Sequence, residues 1–341
     1  MPLPSEPGLR DLVRMGTLAP NSHNTQAWRF RLGAERIDVL PDVSRRTPCV
    51  DPDDHHLYVT LGCAAENILI AARAARRSAE CAWHPGGPAG GAIRITLGKF
   101  AAQGGAAEES LCAAIPLRQS TRSTYDGQPL LASELRLLEQ AAALPGVAIL
   151  WILERPRIEQ ALEFMLQGNS AQMDDPAFRR ELKHWIRFNP AAALRTGDGL
   201  LAGCSGNPNA PSWLGRLIFD RIFKKEKENQ KYAQQIRSSA GFAVFVAERP
   251  TPEGWIQVGR SFERFALQAT ALGIRHAHMN MPIEVPAVRA AFAAWLGLAG
   301  RRPDLVIRFG RSRPMPMSIR RPLEDVIVSG TERGAPAVPR A

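Results

Sequence analysis

The chain has 341 residues, 45% hydrophobic and 22% charged, with 43 Lys and Arg against 33 Asp and Glu for a formal charge of +10. That length suits one large domain or two fused units, and the composition excludes wholesale disorder. The excess charge is scattered arginine without interleaved aromatics, such as Arg73, Arg76 and Arg77, so no nucleic-acid partner is expected.

Residues 9–18 read as a short amphipathic helix. A polar loop, APNSHNTQAWRF, then runs into a hairpin in which Phe30 and Leu32, and later Ile37 and Val39, alternate with polar residues. Residues 41–54, rich in Pro, Asp and Arg, read as loop. Apolar residues from Leu57 to Ala75 recur at helical spacing, and a Gly/Pro break at 85–91 precedes a strand through Ile93, Ile95 and Leu97. Residues 101–110 read as a linker. Beyond them come PLRQSTRSTYDG, a helix at 132–143 and a buried strand VAILWIL. Residues 156–237 are mostly helical with loops and are followed by the strand GFAVFVAE, helices at 255–272 and 285–297, the strand DLVIRFG and a Pro/Arg-rich tail.

The helices at 57–75 and 255–272 are related. Gly62, Glu66, Ile70, Ala72 and Ala74 match Gly259, Glu263, Leu267, Ala269 and Ala271 at one constant offset, which His84-Pro85 and Met281-Pro282 also keep. An internal repeat follows.

The chain lacks an uninterrupted apolar run of about 18 residues, so no membrane partner is expected. Met1–Gly8 shows no secretory pattern. Cys49, Cys63, Cys81, Cys112 and Cys204 are dispersed and form no CxxC pair, which suits reduced thiols in a cytoplasmic protein and gives no zinc site. In DPDDHH (51–56) the acids read as helix capping, and the adjacent His55 and His56 are expected to point apart, so no metal site is expected.

Two segments carry chemistry. In RQSTRSTYDG, Arg118, Ser120 and Arg122 occupy alternate positions, so an extended backbone turns two guanidiniums and a hydroxyl to one side, where they suit phosphate oxygens. In APNSHNTQAWRF, Asn21, Ser22, His23, Asn24 and Gln26 offer amides and a hydroxyl to a ring bearing donors and acceptors. His23 also admits an acid–base reading, against a purely hydrogen-bonding one. Neither segment singles out a catalytic side chain.

PNSHNTQAW resembles the P-S-x-x-N-x-Q-P-W signature of the nitroreductase superfamily, and RQSTRSTYDG resembles its R-x-S-x-R phosphate-binding start. SIRRPLEDVI resembles its closing strand. The order and length resemble the Acg family of FMN-binding, nitroreductase-like proteins, over residues 8–328. This implies an α+β, nitroreductase-like fold of two fused half-domains, a pseudo-dimer, with a helical insert or lid. The first half spans 8–100 and the second 111–328, with the insert at 156–237 and a flexible tail at 329–341. In ordinary nitroreductases the R-x-S-x-R element comes first and two subunits swap elements. Here PNSHN precedes RQSTR, so one complementary pair survives, implying one site at the junction of the halves.

Carried over by resemblance, Arg118, Ser120 and Arg122 hold the flavin phosphate, helped by Arg320 or Arg321. Pro20, Asn21, Ser22 and Asn24 reach the flavin from the other half, and His278, Met279 and Asn280 pass near its N5. Asn21, Ala27 and Met281 depart from the family's usual serine, proline and glutamine. The implied activity is two-electron reduction of nitro or quinone-type acceptors by NADH or NADPH through FMN. The partner is thus a small-molecule electron acceptor, and the chain is a monomer or a weak homodimer. The alternative is FMN storage or sequestration beneath a lid formed by the aromatic insert.

Overall fold

The computed structural model describes residues 3–86, 90–100, 106–298 and 300–328. Part of the expected linker, 101–105, and the tail 329–341 lie outside the described residues. Helix α1 (Leu9–Gly16) leads into the hairpin β1 (Trp28–Leu32) and β2 (Arg36–Pro41), which turns through residues 33–35. Phe30, Ile37 and Val39 are buried, as the alternation requires. Helix α2 (His55–Ala74) follows, then β3 (Arg77–His84) and β4 (Ala92–Phe100). After α3 (Ala106–Ala114) and α4 (Ala132–Ala142), the second half supplies β5 (Val147–Ile152), β8 (Gly241–Ala247), α10 (Pro252–Ala271), β9 (Arg275–His278) and β10 (Leu305–Gly310).

The two sheets share one design. The first runs β1-β2-β4-β3 and the second β5-β8-β10-β9, with every pair in both antiparallel. In each, the long helix joins the second strand to the third in sequence. A terminal strand, β11 (Ile327–Val328), crosses over to pair in parallel with β1. The long helices α2 and α10 pack against each other, and their glycines show how closely. A Cβ on Gly62 would lie 2.2 Å from the Ile256 carbonyl oxygen, and one on Gly259 would lie 2.0 Å from that of Val59. Val59 and Ile256 stand at the same constant offset as Gly62 and Gly259, so the contact is reciprocal, as in an isologous interface. Only glycine permits this backbone approach.

Between β5 and β8, where the first sheet has residues 33–35, the second has residues 153–240. This insert folds as α5 (Arg155–Asp174), α6 (Pro176–Trp185), α7 (Pro190–Thr196), α8 (Ser212–Ile222) and α9 (Lys225–Arg237). The short parallel pair β6 (Ile186–Arg187) and β7 (Leu200–Leu201) lies among these helices. Helices α11 (Met281–Glu284) and α12 (Pro286–Trp295) separate β9 from β10, and α13 (Leu323–Val326) precedes β11.

Several expectations change. Residues 106–110, read as linker, form the start of α3. Strand β5 stands at the edge of its sheet and is only half-buried along most of its length. His55 and His56 do not point apart: their ring centroids are 4.6 Å apart. His55 Nε2 meets the Asp304 carboxylate at 2.9 Å, and His56 Nε2 lies 3.5 Å from the Asn280 amide. Asp51 caps the helix by accepting from the backbone N–H groups of His56 and Leu57, and potential ligand atoms of Asp51, His55 and His56 lie within 4.8 Å of one another. Helix α2 is long and apolar enough to cross a membrane, and 83% of the window that meets this test is buried inside the protein.

Candidate functional site

A cavity of about 440 Å³ is lined by the loop between α1 and β1, residues 115–122, residues of α2, β9 and α11, and the insert. Its first wall is the loop before β1. There His23, Asn24 and Gln26 adopt φ values of 50°, 53° and 54°, a left-handed backbone that non-glycine residues rarely take. Surrounding bonds impose it. Asn24 Nδ2 donates to the carbonyls of Gly199 and Ile319, Gln26 Nε2 donates to that of Gly197, and the Gln26 side-chain oxygen accepts from Arg321 N–H. Asn21 Oδ1 accepts from the Gln26 backbone N–H at 2.8 Å. Pro20, Asn21, Ser22, His23 and Asn24 thereby face the cavity.

The second wall is residues 118–122. They run alongside β9 through a parallel bridge from Ser120 to His276, with Thr121 N–H on the His276 carbonyl. Arg118, Ser120 and Arg122 all line the cavity, while Thr121 is fully buried. The two arginines differ. Arg118 is 4% exposed, donates to the Leu18 carbonyl and pairs with Glu263 at 3.6 Å. Arg122 makes no hydrogen bond or ion pair from its side chain among the described residues. It is therefore the guanidinium available to an anion in the cavity.

Arg320 lines the cavity too, but its donors are spent on the carbonyls of Thr17, Leu18 and Ala19 and on Asn24 Oδ1. Burial, and then the nearby Arg118, lower its pKa to about 9. Arg321 is outside the cavity lining; its side chain donates to the Asp325 carbonyl.

His278 and Asn280 face the cavity, whereas Met279 is turned into the apolar core beneath the second sheet. With His23 and His56 they place three imidazoles on one cavity. Burial, followed by Arg122 for His23 and His278 and by Arg302 for His56, lowers their pKa values to about 4, about 3 and about 3 for His23, His56 and His278. All three are neutral at pH 7 and offer a donor or an acceptor without adding charge.

Sequence reasoning missed several residues. Arg308, fully buried, donates to the carbonyls of Thr121, Ser123 and Gln235 and so braces the 118–125 segment. A lone arginine inside an apolar strand, LVIRFG, was the available signal. Glu263 sits fully buried behind Arg118, and burial raises its pKa to about 7 against the opposing effects of Arg118 and then Asn67. Glu284 lines the far end of the cavity, where it accepts from Gln172 Nε2 at 2.5 Å. The insert supplies much of that end, including Phe178, Phe188, Phe219 and Phe223, but Trp213 is 69% exposed and covers nothing there.

Two sheets of one strand order and a cavity lined by both PNSHN and RQSTR are the arrangement that the resemblance to nitroreductase-like proteins implies. No protein-family model matches the chain. Two curated proteins, from two strains of Mycobacterium tuberculosis, are 25% identical to it over 333 residues, or 95% of this chain and 92% of each relative; both bear the provisional name NAD(P)H nitroreductase. This full-length similarity agrees with the resemblance that PNSHNTQAW and RQSTRSTYDG carry. Among solved structures, an FMN-bound nitroreductase from Bacteroides fragilis aligns at 15% identity, 68% of this chain, 98% of its own and a TM-score of 0.37. A provisionally named nitroreductase from Anabaena variabilis aligns at 12% identity, 89% of this chain, 74% of its own and a TM-score of 0.45.

Proposed function

We propose that the chain is an FMN-dependent NAD(P)H oxidoreductase with one flavin site, acting on nitro or quinone-type acceptors. The observation that carries this reading is the convergence of three segments on one cavity: the 20–24 loop, residues 118–122 and the 278–280 segment. The relatives' names point to the same chemistry. The finer assignment to the Acg family is part of this proposal and rests on PNSHN preceding RQSTR.

The cavity's residues fit the cofactor. Arg122 and Ser120 present an uncommitted guanidinium and hydroxyl to a phosphate, with Arg118 and Arg320 adding positive charge behind them. Asn21, Ser22 and Asn24 approach from the first half, and His278 and Asn280 from the second. When bound, FMN supplies two-electron hydride chemistry. The protein's part is to hold the phosphate, to keep His23, His56 and His278 neutral so that they hydrogen-bond without charge, and to narrow access with the insert.

That same insert favours a second reading, storage of FMN beneath a lid, because α5, α6, α8 and α9 all contribute to the cavity wall. Purified protein should be yellow, and NADH or NADPH added without oxygen should bleach it within seconds. A yellow protein that stays oxidised is a storage protein; a colourless one that takes up no FMN overturns both readings.

A further inference from the structure

The cavity extends well past the arginines, and its far end has a different chemistry. Asn169 and Gln172, one turn apart on α5, hold Asn229 of α9 and Glu284 of α11, and so draw both helices to one face. Around that face stand Met173, Phe178, Phe188 and Phe223, with Phe219 stacked on Phe223 at 4.8 Å and edge-on to Phe188 at 6.4 Å. Two carboxylates, Glu228 and Glu284, look into the same space, which Tyr232, one turn after Glu228 on α9, also lines.

The charges there are unbalanced. Glu228 makes no hydrogen bond or ion pair from its side chain among the described residues. Among the described residues Glu284 has only the neutral amide of Gln172 as a hydrogen-bond partner, and Asp51 and Glu181 add further negative charge near it. Tyr232 lines the cavity and its hydroxyl has no protein partner among the described residues. Lys231 donates to the Ser205 carbonyl and to Asn207 at the chamber's edge and its charge partly offsets that of Glu228, and Lys183 lies over the Phe219 ring. In a chain of charge +10, two acids on an aromatic wall, neither in an ion pair among the described residues, form a local exception. Buried carboxylates need a partner, and aromatic faces attract cations.

We infer that this chamber binds a flat aromatic cation, with its rings among Phe178, Phe188 and Phe223 and its charge toward Glu228 and Glu284. As an account of the electron acceptor this rests on the flavin reading above; as a binding site it stands without it. Burial raises the pKa of Glu284 to about 7 and also raises that of Glu228. A bound cation would hold both acids ionised, so cation binding should release protons near neutral pH.

The test is calorimetric titration at pH 8 with three bicyclic probes, on protein as purified and again with saturating FMN. N-methylquinolinium is the cation, quinoline its neutral counterpart and naphthalene-2-sulfonate the anion. The cation should bind at least tenfold more tightly than quinoline, and the sulfonate should not bind in the presence of FMN. Glu228→Gln and Glu284→Gln should each weaken the cation about tenfold and leave quinoline within twofold, while Phe223→Ala weakens both. Equal affinity for cation and quinoline overturns the inference, as does a Glu228→Gln, Glu284→Gln double variant that keeps full cation affinity. Cation binding abolished by FMN in simple competition also overturns it, because the probe would then occupy the arginine end. Protein that takes up no FMN but binds the cation refutes the flavin reading alone.

Discussion

Arg118 and Arg122 stand two residues apart and face the same cavity, yet they do different work. Arg118 ties the Leu18 carbonyl to Glu263 and so holds the 17–26 loop against the second half. The Arg122 guanidinium holds nothing among the described residues; only its backbone carbonyl is bonded, by Gln235. Arg122→Ala should therefore cost FMN about 1.5–3 kcal/mol, or one to two decades in affinity, and should leave riboflavin, which lacks the phosphate, nearly unchanged. Arg118→Ala should weaken riboflavin as well as FMN, because the loop loses its tether. Equilibrium titration of both ligands separates the cases, and a riboflavin loss in Arg122→Ala matching the FMN loss would remove Arg122 from the phosphate. The histidines give the pH dependence. Their folded pKa values lie below the unfolded value of 6.5, so the stabilisation is fully present above pH 6.5 and is lost as the pH falls toward about 4 and 3. Urea unfolding of the flavin-free chain should show stability dropping steadily from pH 6.5 to 4. A His23→Asn, His278→Asn variant should have a visibly flatter profile over that range.

At the level of elements, the insert does two things. Its 197–199 turn grips the loop before β1 through Asn24 and Gln26 and the turn after β2 through the Arg45–Asp198 ion pair, and its helices wall the cavity. Lys231 pins the 205–207 turn to α9. Lys231→Ala should free that turn while leaving the 197–199 grip intact. Flavin should then dissociate several-fold faster and react faster with dithionite, in a protein whose melting temperature moves little. Stopped-flow rates equal to wild type would show that this turn does not control access. Periodicity alone located α2, α4, α10 and α12 to within about three residues, because each carries its apolar face at helical spacing. It also marked the insert as an addition between two strands. It failed where partners come from distant sequence. Asp304 and Asn280, more than 220 residues away, orient His55 and His56, and no local pattern reveals that. The exposure of Trp213 and the edge position of β5 were hidden for the same reason. Met279 was readable: with His278 and Asn280 on the cavity, the alternation of an extended chain sends Met279 to the other side.

For the whole molecule, the decisive fact is that a repeated framework carries unrepeated site elements. The sheets share a strand order, and α2 and α10 meet through reciprocal glycines. We propose that the chain is a fused pseudo-dimer, and its two potential sites are then unequal for physical reasons. The 17–27 segment between α1 and β1 is long enough to form a strained loop and line the cavity. Its counterpart between α4 and β5 is only residues 143–146, too short for any such loop. Residues 118–122 flank β9, but the equivalent edge of the first sheet ends at β3. Glu263 faces Arg118, which opens onto the cavity, whereas its counterpart Glu66 is closed by ion pairs to Arg260 and Arg264, the latter also bound to Glu108. The second position is thus filled by side chains where the first leaves space. Calorimetric titration of flavin-free protein should give one FMN per chain, and Arg122→Ala should weaken that single isotherm without exposing a second. A stoichiometry of two per chain, or a residual tight site in Arg122→Ala, would mean that the closed side binds flavin as well and that the asymmetry of loop, strand edge and ion pairs has no functional consequence.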